Sequence, residues 1–335
     1  MKCFKKGILS LVAALLLITS AFSTAAVAYS AEAVPARSAD SGELFRQLSY
    51  EEENLAPYYG EPQNHAVSVG GSRELSYFKP IKDKSVYSYG KVSVSLGNER
   101  LSDVAYLIND TTYLPLRAAM TLAGAKVAFD SSTRTATATT DTLNLIVADG
   151  SYVVYANERP LLSNTPAVIL SDGKMYIPIR TLAKALGLSV EWLPPASVRL
   201  TGEIKALTHA QHYYNADQLY WLSRIISAES RGESLLGQIA VGNIVLNRVR
   251  SKDYPNTIYG VIFDRKYGVQ FSPVKDGSIY RTPTYSSVQA AKICLEGVSV
   301  SEKILFFLNP SASTSSWIVQ NRRYAFTIGN HYFFY

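Results

Sequence analysis

The sequence predicts an α+β protein in two parts, a β-rich region followed by a helical region that closes in short strands. Three observations carry that reading. Residues 111–129 (TTYLPLRAAMTLAGAKVAF) and 174–192 (KMYIPIRTLAKALGLSVEW) repeat one strand–helix–strand pattern at an offset of 63. Residues 219–249 (LYWLSRIISAESRGESLLGQIAVGNIVLNRV) have the spacing of two amphipathic helices around a glycine-bearing corner. Residues 324–335 form two short apolar runs around Gly329-Asn330, the signal of a type II′ hairpin.

Taken in order, the first 28 residues carry Lys2, Lys5 and Lys6, an apolar run from Ile8 to Phe22, and Ala26-Val27-Ala28 as a cleavage site. That is the pattern of a secretory signal, and the run is short for a membrane span. An uncleaved anchor is the alternative; either way the remainder is expected outside the cytoplasmic membrane, with no membrane contact once the leader is removed. Residues 29–88 lack sustained periodicity, mix Glu51-Glu52-Glu53 with Gly70-Gly71-Ser72, and read as an extended linker.

Residues 89–203 are the β-rich domain. In each copy of the repeat a strand meets Pro115 or Pro178, and Leu116 or Ile179 opens a short helix. Gly124 or Gly187 then stops it, and a strand ending in Phe129 or Trp192 follows. Between the copies, residues 135–140 and 143–161 read as strands, with Asp149-Gly150 a hairpin turn. Residues 204–217 are a polar linker that includes His209 and His212.

Residues 218–335 are the second domain. In its first helix Leu222, Ile225, Ile226 and Glu229 fall at i, i+3, i+4 and i+7 and share one face. Ser223, Arg224, Ser227 and Ser230 fall on the other. Arg231 and Gly232 end this helix, with Gly232 suited to a left-handed cap. A carboxylate on an apolar stripe is the anomaly of the chain. Glu229 is either a helix-end carboxylate paired with Arg224 or Arg231, or a general acid whose apolar surroundings keep its proton on near neutrality. Spacing leaves both open. The second helix spans about 234–249, a third about 285–295, and residues 304–308 read as a buried strand.

Composition narrows the classes. The 335 residues are 47% hydrophobic, enough for two cores, and carry a formal charge of +6. Loss of the leader's three lysines leaves +3, and residues 219–335 hold 13 Lys and Arg against 7 Asp and Glu. A basic surface suits an anionic polymer. No basic run or nucleic-acid motif is present, so a polymer other than nucleic acid is expected. Cys3 lies in the leader and Cys294 stands alone in a helical pattern, so it reads as a buried structural thiol. His209 and His212 give two ligands at most, and residues 89–203 contain neither His nor Cys, so no metal or other cofactor is expected.

Seven segments in order resemble the catalytic domain of the SleB-type cell-wall hydrolases, the spore-cortex-lytic enzyme family. They are AESRGES (228–234), GQIAVGNIVLNRV (237–249), YPNTIYGVIF (254–263), QFSPVKDG (270–277), FLNP (307–310), Trp317 and TIGNHYFFY (327–335). Residues 89–203 resemble the stalk-type module named after the copper amine oxidase N-terminal domain. The first resemblance implies a secreted enzyme of the cell wall or spore envelope of a Gram-positive-type bacterium. It further implies a lysozyme-like two-lobed domain that cuts peptidoglycan glycan strands as a lytic transglycosylase, with Glu229 as general acid and base. Such an enzyme can omit a second carboxylate, because the muramic 6-hydroxyl attacks its own anomeric carbon. Asp264, Asp276 and Glu233 are the second carboxylates on offer, and Glu233 more simply charges the start of the second helix.

Sugar sites combine aromatic stacking with amide hydrogen bonds. Gln238, Gln270, Phe271, Tyr280, Asn309 and Trp317 are the candidate groove residues, with Gln270 and Asn309 foremost. His331 is either a neighbour of the site or a structural imidazole. The stalk-type module stands where enzymes of this family often carry a peptidoglycan-binding domain, which leaves cortex and vegetative wall both open as substrates. An inactive wall-binding protein anchored by that module is the alternative of a different class.

Overall fold

The computed structural model describes residues 77–266, 268–312 and 317–335. The expected leader and residues 29–76 of the expected linker lie outside the described residues.

The β-rich region begins with β1 (Gly90–Leu96), β2 (Glu99–Arg100), β3 (Ala105–Ile108) and β4 (Thr111–Pro115), then helix α1 (Leu116–Leu122). A meander follows: β5 (Lys126–Asp130), β6 (Thr135–Thr139), β7 (Asn144–Ala148), β8 (Val153–Ala156) and β9 (Arg159–Leu162). β10 (Val168–Ile169), β11 (Met175–Pro178), helix α2 (Ile179–Leu186), β12 (Ser189–Leu193) and β13 (Ser197–Thr201) complete it. One sheet runs β10-β11-β4-β3-β1-β13-β12 with β2 on β1, and the other runs β5-β6-β7-β8-β9. Among the described strands of this region, β1 and β13 alone pair in parallel.

Local chemistry explains these elements. Pro115 and Pro178 sit immediately before α1 and α2, where a missing N–H removes no helical bond. Gly187 ends α2 at φ 68°, and a side chain there would place its Cβ 2.7 Å from the Lys205 carbonyl oxygen. β4 pairs with β11 so that Tyr113 faces Pro178 and Pro115 faces Tyr176. The two tyrosines are fully buried. Leu114, Ile177, Leu182, Leu145 and Val147 fill the core that the two sheets share with the helices.

A four-residue helix α3 (Ala210–Tyr213) leads into the second region. There α4 (Ala216–Ser230), α5 (Leu235–Arg250), α6 (Ile258–Phe263), α7 (Ser272–Asp276) and α8 (Tyr285–Leu295) precede β14 (Phe306–Leu308) and α9 (Trp317–Asn321). β15 (Tyr324–Ile328) and β16 (His331–Phe334) close the chain, and the small sheet runs β14-β16-β15. At the hairpin only Gly329 of the two central residues has positive φ, as a type II′ turn requires. No helix of the described residues is long and apolar enough to cross a membrane.

Two expectations need correction, and the polar side of α4 is packed as well as the apolar one: Ser223, Arg224, Ser227 and Ser230 are all buried. They tolerate this because each finds a partner. Ser230 donates to the Ile226 carbonyl at 2.8 Å, Ser227 accepts from the Thr284 N–H at 3.1 Å, and Arg224 donates to the Arg281 carbonyl at 3.0 Å. Gly232 does not adopt a left-handed cap; α4 ends through a bond from the Glu233 N–H to the Ser230 carbonyl. Residues 77–88 are not a free tether either, since Phe78 is buried among Leu236, Ile244, Ile304 and Phe333.

Candidate active site

α4 and α5 are set against α8 by a close approach at Gly242. A Cβ at 242 would lie 2.7 Å from Cys294 Sγ on α8 and 2.8 Å from Ile226 Cδ1 on α4. Ile226 is one turn before Glu229, so the small residue that lets the helices touch also fixes the height of the carboxylate. Cys294 is buried and donates to the Ile239 carbonyl, and burial raises its thiol pKa, which suits a packing role.

Glu229 makes no side-chain hydrogen bond or ion pair among the described residues. Its carboxyl is pushed up to about 7, first by burial and then by the negative charge of Asp276, with Arg248 pulling the other way. Asp276 sits at the end of α7, a segment packed on α4. The side chain and backbone of Ser278 bond to its carboxylate and hold it below the ordinary range. The pair therefore divides: one carboxyl keeps its proton near neutrality while its neighbour is ionised.

Arg248 is the residue that spacing alone passed over. It is buried in the last turn of α5, and its Nε donates to the Leu305 carbonyl at 2.9 Å. The rings of Tyr254, Phe271 and Phe306 surround its guanidinium at 5.0, 5.2 and 5.5 Å. Nη1 is buried without a hydrogen-bond partner among the described residues. Burial lowers its pKa, against the pull of Tyr254, Asp264 and Glu229. The signal was available, because Val241, Ile244, Val245 and Arg248 share a stripe at i, i+3, i+4 and i+7, the same anomaly that marked Glu229.

Of the groove candidates, Phe271 lies against Arg248, and Trp317 meets Phe306 edge-on at 6.5 Å with Arg322 at 5.2 Å from its ring. Tyr280 is exposed and stands 6.3 Å from Trp221, which also meets Tyr259 and Phe263. Gln270 is half-buried and donates to the Gly268 carbonyl, and Asn309 caps its own turn by accepting from the Ser311 N–H at 3.0 Å. Gln238 departs from expectation. It is buried, its Nε2 donates to the Glu233 carbonyl and Ser286, and its Oε1 accepts from Ser286 and Ser287, which leaves no free amide group for a sugar.

Glu233 does not share a face with Glu229. It accepts from the Asn330 N–H and Nδ2 at 3.2 and 3.1 Å and so ties the start of α5 to the closing hairpin. His331 is buried beside it, with Nδ1 3.8 Å from Oε1, and burial lowers the imidazole pKa, opposed by Glu233. Asp264 accepts from the Lys266 N–H at 2.9 Å. His209 caps α3 through Nδ1, and no cluster of three or more His, Cys, Asp or Glu suited to a metal occurs among the described residues.

Two protein families match this chain. The Cell Wall Hydrolase family covers residues 232–334, and the Copper amine oxidase N-terminal domain covers residues 96–196. The first match begins three residues after Glu229, and the second contains no His or Cys that could hold copper. The spore cortex-lytic enzyme of Bacillus cereus is 36% identical over 126 residues, 38% of this chain and 47% of that protein. Its counterpart from Bacillus subtilis is 34% identical over 120 residues, 36% of this chain and 38% of the relative. The chain thus spans less than half the length of these curated relatives. A structure described as the catalytic domain of the germination-specific lytic transglycosylase SleB from Bacillus anthracis is 36% identical, covering 37% of this chain and 98% of that one, with a TM-score of 0.34. Residues 232–334 thus carry a Cell Wall Hydrolase domain similar in sequence to the spore cortex-lytic enzymes, and a copper amine oxidase N-terminal-like domain precedes it at residues 96–196.

Proposed function

We propose that this chain is a secreted enzyme that cleaves the glycan strand of peptidoglycan, with Glu229 as general acid and then general base. What carries this is a carboxyl without a hydrogen-bond partner among the described residues, pushed up to about 7 by burial and by ionised Asp276, three residues before a cell wall hydrolase match. We read the helices and the three-stranded sheet as two lobes of a lysozyme-like groove, with Phe306, Trp317 and Tyr280 as stacking surfaces for sugar rings.

In the first step Glu229 gives its proton to the glycosidic oxygen as the bond to the muramic C1 breaks, and the leaving sugar departs as an alcohol. The oxocarbenium-like charge at C1 develops near the Asp276 carboxylate, which favours it. Glu229, now anionic, takes the proton of the muramic 6-hydroxyl while that oxygen bonds to C1. The product carries a 1,6-anhydro ring, and Glu229 regains its proton without consuming water. Arg248 steadies the anionic form between the two steps.

Clearing of purified cortex and vegetative sacculi tests the reading. Glu229→Gln, of nearly equal volume, should slow clearing by about 10²–10⁴-fold. A variant within about tenfold of wild type would remove Glu229 from the mechanism. Binding without clearing by wild type would favour a wall-binding protein.

A further inference from the structure

The contact between the β-rich domain and the catalytic helices centres on one carboxylate. Glu296 follows α8 directly, and its side chain is fully buried. Arg159 of β9 approaches it in parallel, Nε to Oε1 at 2.7 Å and Nη2 to Oε2 at 2.9 Å. Tyr214 donates to Oε1 at 2.8 Å, and Lys184 of α2 lies 3.1 Å from Oε2. Four donors thus meet the four lone-pair positions a carboxylate offers, from two elements of the β-rich domain and from the connection. Burial pushes the Glu296 carboxyl up, but the bonds from Arg159, Tyr214 and Lys184 outweigh it and hold its pKa below the ordinary value.

The connection is part of the same assembly. The Arg159 guanidinium lies 3.3 Å over the Tyr213 ring. Asn157, buried at the β8–β9 turn, donates to the Leu207 carbonyl, and its own carbonyl accepts from the Ala210 N–H. A second, apolar contact reinforces the first: Phe78 meets Tyr152 at 4.4 Å, and Tyr152 and Leu162 pack on the cluster of Leu236, Ile244 and Phe333. α8, whose end carries Glu296, packs along α4, the helix of Glu229.

We propose that the copper amine oxidase N-terminal-like domain is a fixed lobe of this enzyme, clamped to the catalytic helices by Glu296, rather than a stalk on a hinge. Residues 202–217 are then the clamp's third jaw. Domains joined by a small polar contact move independently by default; here opening would break four directed contacts to one carboxylate and expose the apolar packing of Phe78, Tyr152 and Leu162 to water at the same time. Whatever face the β-rich domain offers to a surface is held in one orientation to the Glu229 groove. This inference does not depend on the glycan chemistry proposed above.

Scanning calorimetry of the full chain tests it. Wild type should unfold in one transition with calorimetric and van't Hoff enthalpies equal. Glu296→Gln, which keeps the volume and removes the charge, should split the transition in two and speed proteolytic cutting within residues 202–217 at least tenfold. Tyr214→Phe, which deletes one hydrogen bond, should lower the midpoint of a transition that stays single. Two resolved transitions in wild type would overturn the proposal whatever the variants do, as would a Glu296→Gln protein with an unchanged single transition and unchanged cutting.

Discussion

Replacing Glu229 by Gln should make the protein more stable, and only above the acid range. The carboxyl has a pKa of about 7 in the fold against an ordinary 4.5. A raised pKa means that the folded chain holds a proton the unfolded chain has released. That advantage is complete below about pH 4.5 and is lost as pH rises through about 7. At ~1.4 kcal/mol per pKa unit, ionising Glu229 inside the fold costs about 3 kcal/mol more than in the unfolded chain. Gln fills the same space without the charge. Urea unfolding of both proteins at about pH 4 and pH 8 reads the difference directly, since most other titrating groups cancel between them. The variant should gain about 3 kcal/mol at the higher pH and nearly nothing at the lower. An advantage that is the same at both values, or larger in acid, would refute a desolvated carboxyl at 229.

Catalysis should show the same group from the other side: clearing activity should fall about tenfold per pH unit above about 7, as the acid loses its proton. Arg248→Met should move that falling limb to higher pH, because Arg248 lowers the Glu229 pKa and its removal leaves burial and Asp276 unopposed. Gly242→Ala should destabilise the fold by about 1–3 kcal/mol in urea, since its Cβ meets Cys294 and Ile226 on two other helices. Cys294 should stay inert to a disulfide thiol reagent in the native protein and react once urea exposes it.

Much of the second region was legible in sequence because its signals are local. Helix spacing and the caps of α5 and α8, Ser234 and Thr284, mark their starts, and Gly329-Asn330 marks the hairpin. The apolar stripe of α4 pointed to Glu229 for a physical reason that the fold supplies, a carboxyl pushed up by burial. The burial of Ser227 and Arg224 was not legible, because their partners, Thr284 and Arg281, are 57 residues away. Gln238 misled for the same reason: a polar residue on a helix looks available until Ser286 and Ser287, on another helix, are seen to occupy it. The docking of the β-rich domain was hidden most deeply. Arg159 and Glu296 are 137 residues apart, and each alone reads as an ordinary surface charge.

Glycan cleavage by Glu229 is tested by mass spectrometry of the glycan ends released from purified cortex and vegetative wall by the wild-type chain, beside Glu229→Gln. Intramolecular cleavage through Glu229 should give muramic ends one water lighter than reducing ends, from at least one wall type, and none from the variant. Reducing muramic ends would keep Glu229 but contradict the intramolecular step, and released stem peptides, or no release from either wall, would contradict glycan cleavage itself.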